Sequence, residues 1–551
     1  MAQGQQEPDS DSSTTCKTRR FDFIPLRHAL VGYNRRKGAA DLKAGVNVAL
    51  LAFPQSMAYA VIAGLPIFYG LFTEIVAGIF GPLFSGSRFI IAGATNATAV
   101  LFFATMMTLG LAPADMLALV PLLLFLVGFF ILIGSMIGVA NFIQFVSRSV
   151  IIGYITAAAL YIIVNQSAKV IGVELHETPG TSLFLRAWAT LRAVPSAHLA
   201  TLVLSGITAA VYWLMQRHFP KLPNVAVVLV VMSFLCVAFN HAIALSPALS
   251  QHGPIGCLDP ISMSSWKLHL PSFSMTSINM LFETALVLAF LCTLEAVSVG
   301  KSVAARAGEK LDVAGELRGI GAANLASSLW GGMPVSGSPV RSQLNWNSGA
   351  NTPLAPIISS VFVCAGLFVV GPLVRFIPIC ALGTLIVFIG VTLINRHVIK
   401  VVVKSTRGDA AVFVVTFVAA LLLRLDIAIV IGTALSIMLF LRKAAVPQLV
   451  EYGATESGTL APIEKPVAQD GRQTIAVMHV EGDLFFGAAE LFRDQMRRIC
   501  EDKGLKIIIL KLRNAHHLDA TSILALEELI RYMRENDRTL LVSEAGAETM
   551  R

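Results

Sequence analysis

Two short stretches decide the fold of this chain: residues 92–105, AGATNATAVLFFAT, and residues 336–347, SGSPVRSQLNWN. Each stretch opens with small and hydroxyl-bearing residues and leads into a run too short to cross a bilayer, because a spanning helix needs roughly 20 residues. A glycine-led start to a short membrane run is typical of a broken transmembrane helix. The two stretches therefore predict two half-helices inside a membrane domain.

The composition of the whole chain also favours a membrane protein. Hydrophobic residues make up 55% of the 551 positions, charged residues only 14%, and the mean hydropathy is +0.71. A soluble domain carries about a quarter charged residues, so a soluble chain, a disordered chain, a coiled coil and a disulfide scaffold are excluded. The seven cysteines lack CxxC spacing and are expected to be small core residues, with no metal site.

The composition changes along the chain predict three parts. Residues 1–40 are expected to form a cytoplasmic N-terminal segment, residues 41–445 a membrane transport domain, and residues 446–551 a small α/β domain. About fourteen spans are predicted, so the fold class is an α-helical polytopic membrane protein. The spans are expected to begin near Leu42, Tyr69, Thr95, Asp115, Gln144, His198, Pro223, Ile278, Asp312, Ser338, Thr352, Pro378, Asp409 and Asp426.

The distribution of basic residues predicts the orientation of the chain. Connections that follow even-numbered spans carry twelve Lys and Arg residues, whereas those that follow odd-numbered spans carry six. The positive-inside rule then places both termini in the cytoplasm, and it explains the net charge of +8 without a nucleic-acid partner. Fourteen spans arranged as seven plus seven form an inverted repeat, in which the two short spans, the third and the tenth, occupy matching positions.

The starts of the two half-helices predict an anion site. A helix N-terminus leaves backbone N–H groups unpaired and carries about half a positive charge, so two such ends that face each other attract a small anion. Gly93, Thr95, Asn96 and Thr98 open the third span, and residues 336–338 open the tenth. The alternative interpretation is close packing between helices through small residues.

Three charged residues lie within the predicted spans. Glu295 lies near the middle of the eighth span, where a carboxylate is costly unless it is protonated, paired or hydrated. Its expected partner is Arg341, three residues after Ser338 on the tenth span; alternatively, Arg341 anchors the helix at the inner interface. Glu74 is expected in the first turn or so of the second span, within reach of headgroup water, in a mainly structural role, with a role in coupling as the alternative.

The first span presents two polar side chains on one face. Gln55 and Tyr59 are spaced i, i+4, which places them on the same side of a helix. Pro54 frees a backbone carbonyl just before them. The pair is expected either to line a pathway or to pack between helices.

At these residues the chain resembles the bacterial branch of the SulP/SLC26 anion transporters. The resemblance rests on DLKAGVNVALLAFPQSMAYAVIAGLP at residues 41–66, on SGSR at residues 85–88, on Glu295, and on ANLASSLWGGMPVSGSPVRSQLNWNSGANTPLA at residues 323–355. It implies a seven-plus-seven inverted repeat in which a core domain moves against a gate domain, homodimers, and transport of sulfate, bicarbonate, chloride, oxalate or dicarboxylates.

The resemblance also implies roles for individual residues. Glu295 is the expected coupling residue, and the implied substrate-binding residues are Gln55, Tyr59, Thr95, Asn96, Ala97, Ser338, Val340 and Arg341. The chain departs from the family at Val340, where a serine is usual, and at Ala94, where a proline is usual. A lost hydroxyl beside the anion removes a donor worth about 1 kcal/mol, so the resemblance implies no single anion.

The C-terminal part resembles the STAS fold of sulfate transporters and anti-sigma-factor antagonists. Three strands, TIAVMHVEGDLFF, KIIILKLRN and TLLVSE, alternate with helical segments, which is typical of an α/β layer. Ser522 is either a candidate regulatory residue or, together with Thr521, a cap of the helix that follows. Because the chain ends at Arg551, where another helix is expected, the STAS domain is expected to be truncated.

These observations predict a secondary active transporter of a small anion in the inner or plasma membrane, coupled to H⁺ or Na⁺ and without a cofactor. The expected partners are the anion, the lipid bilayer, a second copy of the chain, and a cytoplasmic protein that binds the STAS domain. Two alternatives remain at this point: an uncoupled anion channel, and a voltage-responsive or regulatory scaffold whose output is the STAS domain. An enzyme is not expected, since no catalytic triad or phosphate-binding loop is present.

Overall fold

The computed structural model describes most of the chain, and the structural statements below concern that part. The described residues are 25–27, 31–108, 113–138, 147–173, 183–219, 224–245, 253–258, 266, 268–423, 425–444, 448–454, 460–462, 475–483, 491–494, 496–497, 506–516 and 520–545. The chain divides into two compact units, of which the first comprises residues 1–143, 155–395 and 420–426, and the second residues 144–154, 396–419 and 427–551.

The apolar part of the chain is helical. Its described helices are α1 (Arg35–Ile62), α2 (Ile67–Ser85), α3 (Asn96–Thr108), α4 (Pro113–Ile137), α5 (Arg148–Ile171), α6 (Leu183–Ala193), α7 (Leu199–His218), α8 (Asn224–Leu245), α9 (Met275–Ala307), α10 (Val313–Leu329), α11 (Pro339–Asn347), α12 (Leu354–Val370), α13 (Ile379–Leu393), α14 (Arg396–Ser405), α15 (Arg407–Leu422) and α16 (Leu425–Ala444). Two short strands, β1 (Ala92–Gly93) and β2 (Ser336–Gly337), precede α3 and α11.

Every predicted span corresponds to one of these helices, most of which begin within a few residues of the predicted start. The remaining two, α6 and α14, are short helices between spans. Within the described residues, nine helices are long and apolar enough to cross a membrane by length and composition. The polytopic helical fold class is therefore confirmed, and the count of fourteen spans stays a prediction.

The two half-helices are held together at their starts. The helices of the third and tenth predicted spans, α3 and α11, have 13 and 9 described residues, which is too short to span a bilayer. The strands before them pair antiparallel, with Ala92 opposite Gly337 and Gly93 opposite Ser336. The backbone N–H of Ser338 then donates to the carbonyl oxygen of Ile91 at 2.9 Å. This pairing fixes the distance between the two helix starts.

Glycines allow the helices of the first unit to pack closely. Helix α2 packs against α1, α10 and α12, and α4 packs against α9 and α10. A Cβ atom on Gly70 would lie 1.9 Å from the carbonyl oxygen of Ser56, and one on Gly78 would lie 2.1 Å from Ser360 Oγ. Small residues at helix contacts are typical of membrane proteins. An apolar side chain in lipid gains no hydrophobic free energy when it packs against another helix, so close van der Waals contact between the helices supplies the stabilisation.

A buried carboxylate joins the first helix to the loop before α12. Asp41 has no exposed surface and accepts three hydrogen bonds: from the backbone N–H of Asn351 at 2.7 Å, from that of Thr352 at 3.1 Å, and from the Thr352 hydroxyl at 2.6 Å. These bonds satisfy two backbone donors and one hydroxyl donor of the turn between α11 and α12.

Replacement of Asp41 by alanine should therefore destabilise the protein. The substitution leaves buried donors without an acceptor, which costs roughly 3 kcal/mol. The measurement is the thermal unfolding midpoint of the purified protein, with Lys43→Ala as the control, since Lys43 is exposed on the same helix. An equal midpoint for D41A and K43A would contradict the structural role of Asp41.

The C-terminal residues of the second unit form an α/β layer. Its strands are β3 (Gln448–Ala454), β4 (Leu460–Pro462), β5 (Ile475–Asp483), β6 (Ile507–His516) and β7 (Thr539–Ser543), and its described helix is α17 (Ala520–Glu535). The sheet order is β4-β3-β5-β6-β7, with β5, β6 and β7 parallel. The three predicted strands are confirmed as β5, β6 and β7, whereas β3 and β4 were not predicted.

Candidate functional site

A small cavity lies between the starts of the two half-helices. Its volume is about 130 Å³. Helices α3 and α11 supply its polar end together with one carboxylate from α9, while α5 and α13 supply an apolar wall. The lining residues are Tyr59, Thr95, Asn96, Ala97, Val100, Ile155, Ala158, Ile162, Glu295, Ser338, Pro339, Val340 and Leu393.

The start of α3 is built by two threonines. The hydroxyl oxygen of Thr95 accepts from the backbone N–H of Thr98 at 3.2 Å, and the hydroxyl oxygen of Thr98 accepts from the backbone N–H of Thr95 at 3.1 Å. This reciprocal arrangement is the hydrogen-bond pattern of a capping box. The Thr95 hydroxyl also donates to Glu295 Oε2 at 2.8 Å. The carboxylate of α9 is therefore bonded directly to the first turn of α3.

The start of α11 has fewer intramolecular partners. Ser338 is the N-terminal cap residue, but its side chain makes no capping hydrogen bond to the helix. The next residue is Pro339, which has no N–H group. No side-chain cap therefore occupies the backbone N–H groups of the first turn of α11. Val340, which is 52% exposed, lines the cavity beside them.

Two amide side chains on the first and third helices carry buried polar atoms. The Oδ1 atom of Asn96 and the Oε1 atom of Gln55 are buried and, within the described residues, have no hydrogen-bond partner. A buried amide without a partner is uncommon and often marks a ligand or water site. Asn96 lines the cavity, as does Tyr59, whereas Gln55 is not among the lining residues. Because an amide group also carries two N–H donors, Asn96 is able to donate to an anion.

The expected pairing of Arg341 with Glu295 is wrong. Arg341 has no exposed surface and forms an ion pair with Glu74, while its Nη2 atom donates to the carbonyl oxygen of Ala94 at 2.6 Å. Arg341 is also absent from the residues that line the cavity. The arginine lies behind the site, where its charge is compensated by Glu74.

The position expected for Glu74 is also wrong. The residue is only 2% exposed and lies two turns into α2, which begins at Ile67, so the carboxylate does not reach headgroup water. A buried arginine requires a compensating charge because an unpaired ion is costly in the membrane. The spacing within either helix gives no indication of this partner, since Glu74 and Arg341 are distant in sequence.

Gly93 in β1 covers this ion pair. A Cβ atom at that position would lie 2.6 Å from Glu74 Oε2 and 2.7 Å from Arg341 Nη2. Alanine should therefore displace the pair and lower the thermal unfolding midpoint, since overpacking costs about 1–3 kcal/mol. Gly206→Ala is the control, because a Cβ atom on Gly206 meets nothing within 4 Å. Equal unfolding midpoints for G93A and G206A would contradict this prediction, because they would show that the backbone at Gly93 shifts away from the ion pair without cost.

Ser522 is placed in the first turn of α17 and is 2% exposed. Its hydroxyl is thus accessible to a modifying enzyme only if the start of α17 moves. The three residues before the helix, 517–519, lie outside the described residues. The regulatory role of Ser522 stays a prediction.

Residues 39–416 match the model of the sulfate permease family, and residues 467–551 match that of the STAS domain. The putative sulfate transporter YvdB of Bacillus subtilis is 26% identical over 515 residues, covering 93% of this chain and 92% of that protein. The probable sulfate transporter Rv1739c of Mycobacterium tuberculosis is 27% identical over 501 residues, covering 90% and 87%.

A solved structure has the same fold over almost the whole chain. The murine Solute Carrier 26 family member A9 anion transporter, in its inward-facing state, superposes with a TM-score of 0.81 at 19% identity, covering 99% of this chain and 92% of that chain. At this identity the likeness concerns the fold alone.

Proposed function

The chain belongs to the sulfate permease family, and from this membership we propose that it is a secondary active transporter of a small anion of the sulfate, bicarbonate or dicarboxylate class. It carries the anion by alternating access, in the cavity between the starts of α3 and α11. The observation that carries this proposal is the bond between Glu295 and Thr95, because it joins a titratable group to one of the two helix starts that attract the anion.

The charges around the cavity favour coupling to protons. The charge of Arg341 is compensated by Glu74, and within the described lining the only ionisable acid or base besides Tyr59 is Glu295. An ionised Glu295 repels an incoming anion, whereas a protonated one does not. Anion and proton therefore promote each other's binding, and this linkage is reciprocal.

The anion is held by neutral donors. The amide of Asn96, the hydroxyl of Ser338 and the backbone N–H groups at the start of α11 supply hydrogen bonds, and the helix ends supply positive potential. Tyr59 and Ala97 close the cavity around the anion. The apolar wall from α5 and α13 excludes water, which strengthens these interactions.

We further propose that the protein is a homodimer in the inner or plasma membrane, with both termini in the cytoplasm. The excess of basic residues in alternate connections supports this orientation. The STAS domain then lies in the cytoplasm, where it binds a protein partner.

Uptake into liposomes tests the proposed function. Purified protein is assayed with sulfate, bicarbonate and fumarate side by side, under imposed proton and sodium gradients. An inward proton gradient should accelerate the uptake of at least one anion. Uptake that is indifferent to both gradients would identify a channel, and no uptake of any anion, with binding of a STAS partner preserved, would identify a scaffold.

A further inference from the structure

Two cysteines of the first unit lie close together, although they are 21 positions apart in the sequence. Cys236 is buried in the middle of α8, and Cys257 lies in the segment 253–258 that follows this helix. Their sulfur atoms are 3.6 Å apart. A disulfide bond is about 2.05 Å long, so the sulfurs need to approach by about 1.5 Å. Side-chain rotation with a small backbone shift supplies this distance, and the two thiols are therefore placed as partners for a disulfide.

Hydrogen bonds from α8 hold the segment 253–258 in place. The side chain of Asn240, one helical turn after Cys236, donates through Nδ2 to the carbonyl oxygen of Ile255 at 3.2 Å. Its Oδ1 atom accepts from the backbone N–H of Ile255 at 2.8 Å. Ile255 is buried and lies two residues before Cys257. This double contact therefore fixes the position of Cys257 beside α8.

The same segment is bonded to the start of α13. Cys257 forms an isolated antiparallel bridge with Pro378, the residue before this helix. The backbone N–H of Ile379 donates to the carbonyl oxygen of Gly256 at 3.0 Å. The segment 253–258 thus joins α8 to α13, and α13 supplies part of the apolar wall of the transport cavity.

The proposed orientation places Cys257 on the side of the membrane opposite the cytoplasm. The segment 253–258 follows the seventh predicted span, and Pro378 follows the eleventh, so both belong to connections after odd-numbered spans. Their contact agrees with this assignment, because it requires the two connections to lie on one side of the membrane. Disulfides form and persist outside the cytoplasm, where thiols are not kept reduced. The choice of compartment depends on the orientation proposed above, whereas the distance between the two sulfurs does not.

We propose that Cys236 and Cys257 are a site of oxidative modification, at which a disulfide forms by exchange with an oxidised dithiol protein or a small-molecule disulfide. The bond ties α8 covalently to the segment that holds the start of α13. Such a cross-link stabilises a fold mainly because it restricts the unfolded chain. CxxC spacing is not needed for this pair, because the two cysteines come from different structural elements and meet only in the folded protein.

The exposure of the two thiols sets the order of the exchange steps. Cys257 is partly exposed, whereas Cys236 has no exposed surface. The hydrogen bond with Cys236 also lowers the pKa of the Cys257 thiol, which raises its thiolate fraction. The Cys257 thiolate therefore attacks one sulfur of the oxidant, and the first thiol of the oxidant leaves.

The second step closes the bond within the protein. The Cys236 thiol gives up its proton and attacks the sulfur of Cys257, which releases the second thiol of the oxidant. The two cysteines thereby lose two protons and two electrons, and the disulfide of the oxidant takes them up and becomes two thiols. The exchange needs no further reactant.

The test counts the thiols of the purified full-length protein that react with an alkylating agent after denaturation. Incubation of the folded protein with glutathione disulfide should lower the count by two from the seven of the reduced protein. Peptide mapping should then show Cys236 linked to Cys257. Oxidation should also raise the thermal unfolding midpoint by about 2–5 °C, and a reducing agent should reverse both changes.

Three variants identify the cysteines that react. Cys257→Ser and, independently, Cys236→Ala should each prevent the loss of two thiols on oxidation. Cys364→Ser is the matched control, because Cys364 is partly buried, as Cys257 is, but lies on α12. C364S should still lose two thiols on oxidation and show the same rise in the unfolding midpoint. Cys236 is buried, so C257S decides the outcome should C236A fail to fold.

Three results would overturn the proposal. They are a wild-type protein that keeps all its thiols in glutathione disulfide, a C257S protein that loses two thiols like C364S, and a link from Cys257 to Cys380 in place of Cys236. Because the thiols are counted on purified protein, the result depends neither on transport activity nor on the orientation of the chain in the membrane.

Discussion

Replacement of Glu295 by glutamine should abolish proton-driven anion uptake and leave the protein folded. The amide has the shape of a protonated carboxyl group and still accepts the hydrogen bond from Thr95. It does not release a proton, so the anion still binds but its movement is no longer coupled to a proton gradient. Uptake driven by an inward proton gradient should fall to the rate of protein-free liposomes, whereas exchange of anion for anion should continue.

A matched control for this substitution is available in the same unit. Glu316 lies on α10, is 2% exposed and does not line the transport cavity. Glu316→Gln makes the same chemical change at another buried carboxylate and should keep proton-driven uptake. If E295Q retained coupled uptake, or if E316Q lost it equally, Glu295 would not be the coupling residue.

Replacement of Arg341 by glutamine should mainly destabilise the protein. Arg341 has no exposed surface and pairs with Glu74, so its removal leaves a buried, uncompensated carboxylate. Loss of one partner of a buried pair costs about 3–5 kcal/mol. The measurement is the free energy of unfolding in detergent, determined with a chemical denaturant.

The double variant distinguishes a structural pair from an anion-binding arginine. Glu74→Gln combined with Arg341→Gln removes both charges and should recover most of the lost stability. It should also keep anion affinity close to that of the wild type, because neither side chain lines the cavity. A stable R341Q protein that has lost anion binding would show instead that the guanidinium contacts the anion.

Glu74→Gln alone gives the opposite electrostatic change. It leaves Arg341 charged, and Arg341 follows Val340, a residue of the cavity lining. Added positive charge near the cavity should tighten anion binding and weaken its dependence on protonation of Glu295. Together, the three variants form a cycle in which the coupling between the two charges is measured directly.

The position of the site was predictable, because it depends on local features. Short runs led by glycine, serine and threonine identify α3 and α11 directly, since run length and helix-breaking residues are properties of a single segment. The third and tenth spans occupy matching positions in the two predicted halves, so the inverted repeat predicts that these two segments meet. Thr95, Asn96, Ala97, Ser338 and Val340, which were predicted to bind the substrate, all line the cavity, and their role in binding stays a prediction.

The parts that were not predicted depend on contacts between distant segments. Arg341 pairs with Glu74 because α2 packs against β1. The spacing of residues within the two segments that carry Arg341 and Glu74 does not indicate this contact. The apolar wall formed by Ile155, Ala158 and Ile162 was not predictable either. The sequence of a membrane helix is apolar whether its residues face lipid, another helix or a cavity.

The most direct test of the central claim is an experimental density map of the protein with its transported anion bound. The account predicts density for the anion between the first turns of α3 and α11, within hydrogen-bond distance of the Asn96 amide and the Ser338 hydroxyl, with Arg341 still paired to Glu74. An anion bound to the Arg341 guanidinium with Glu74 displaced, or an empty cavity between the two helix starts, would contradict it.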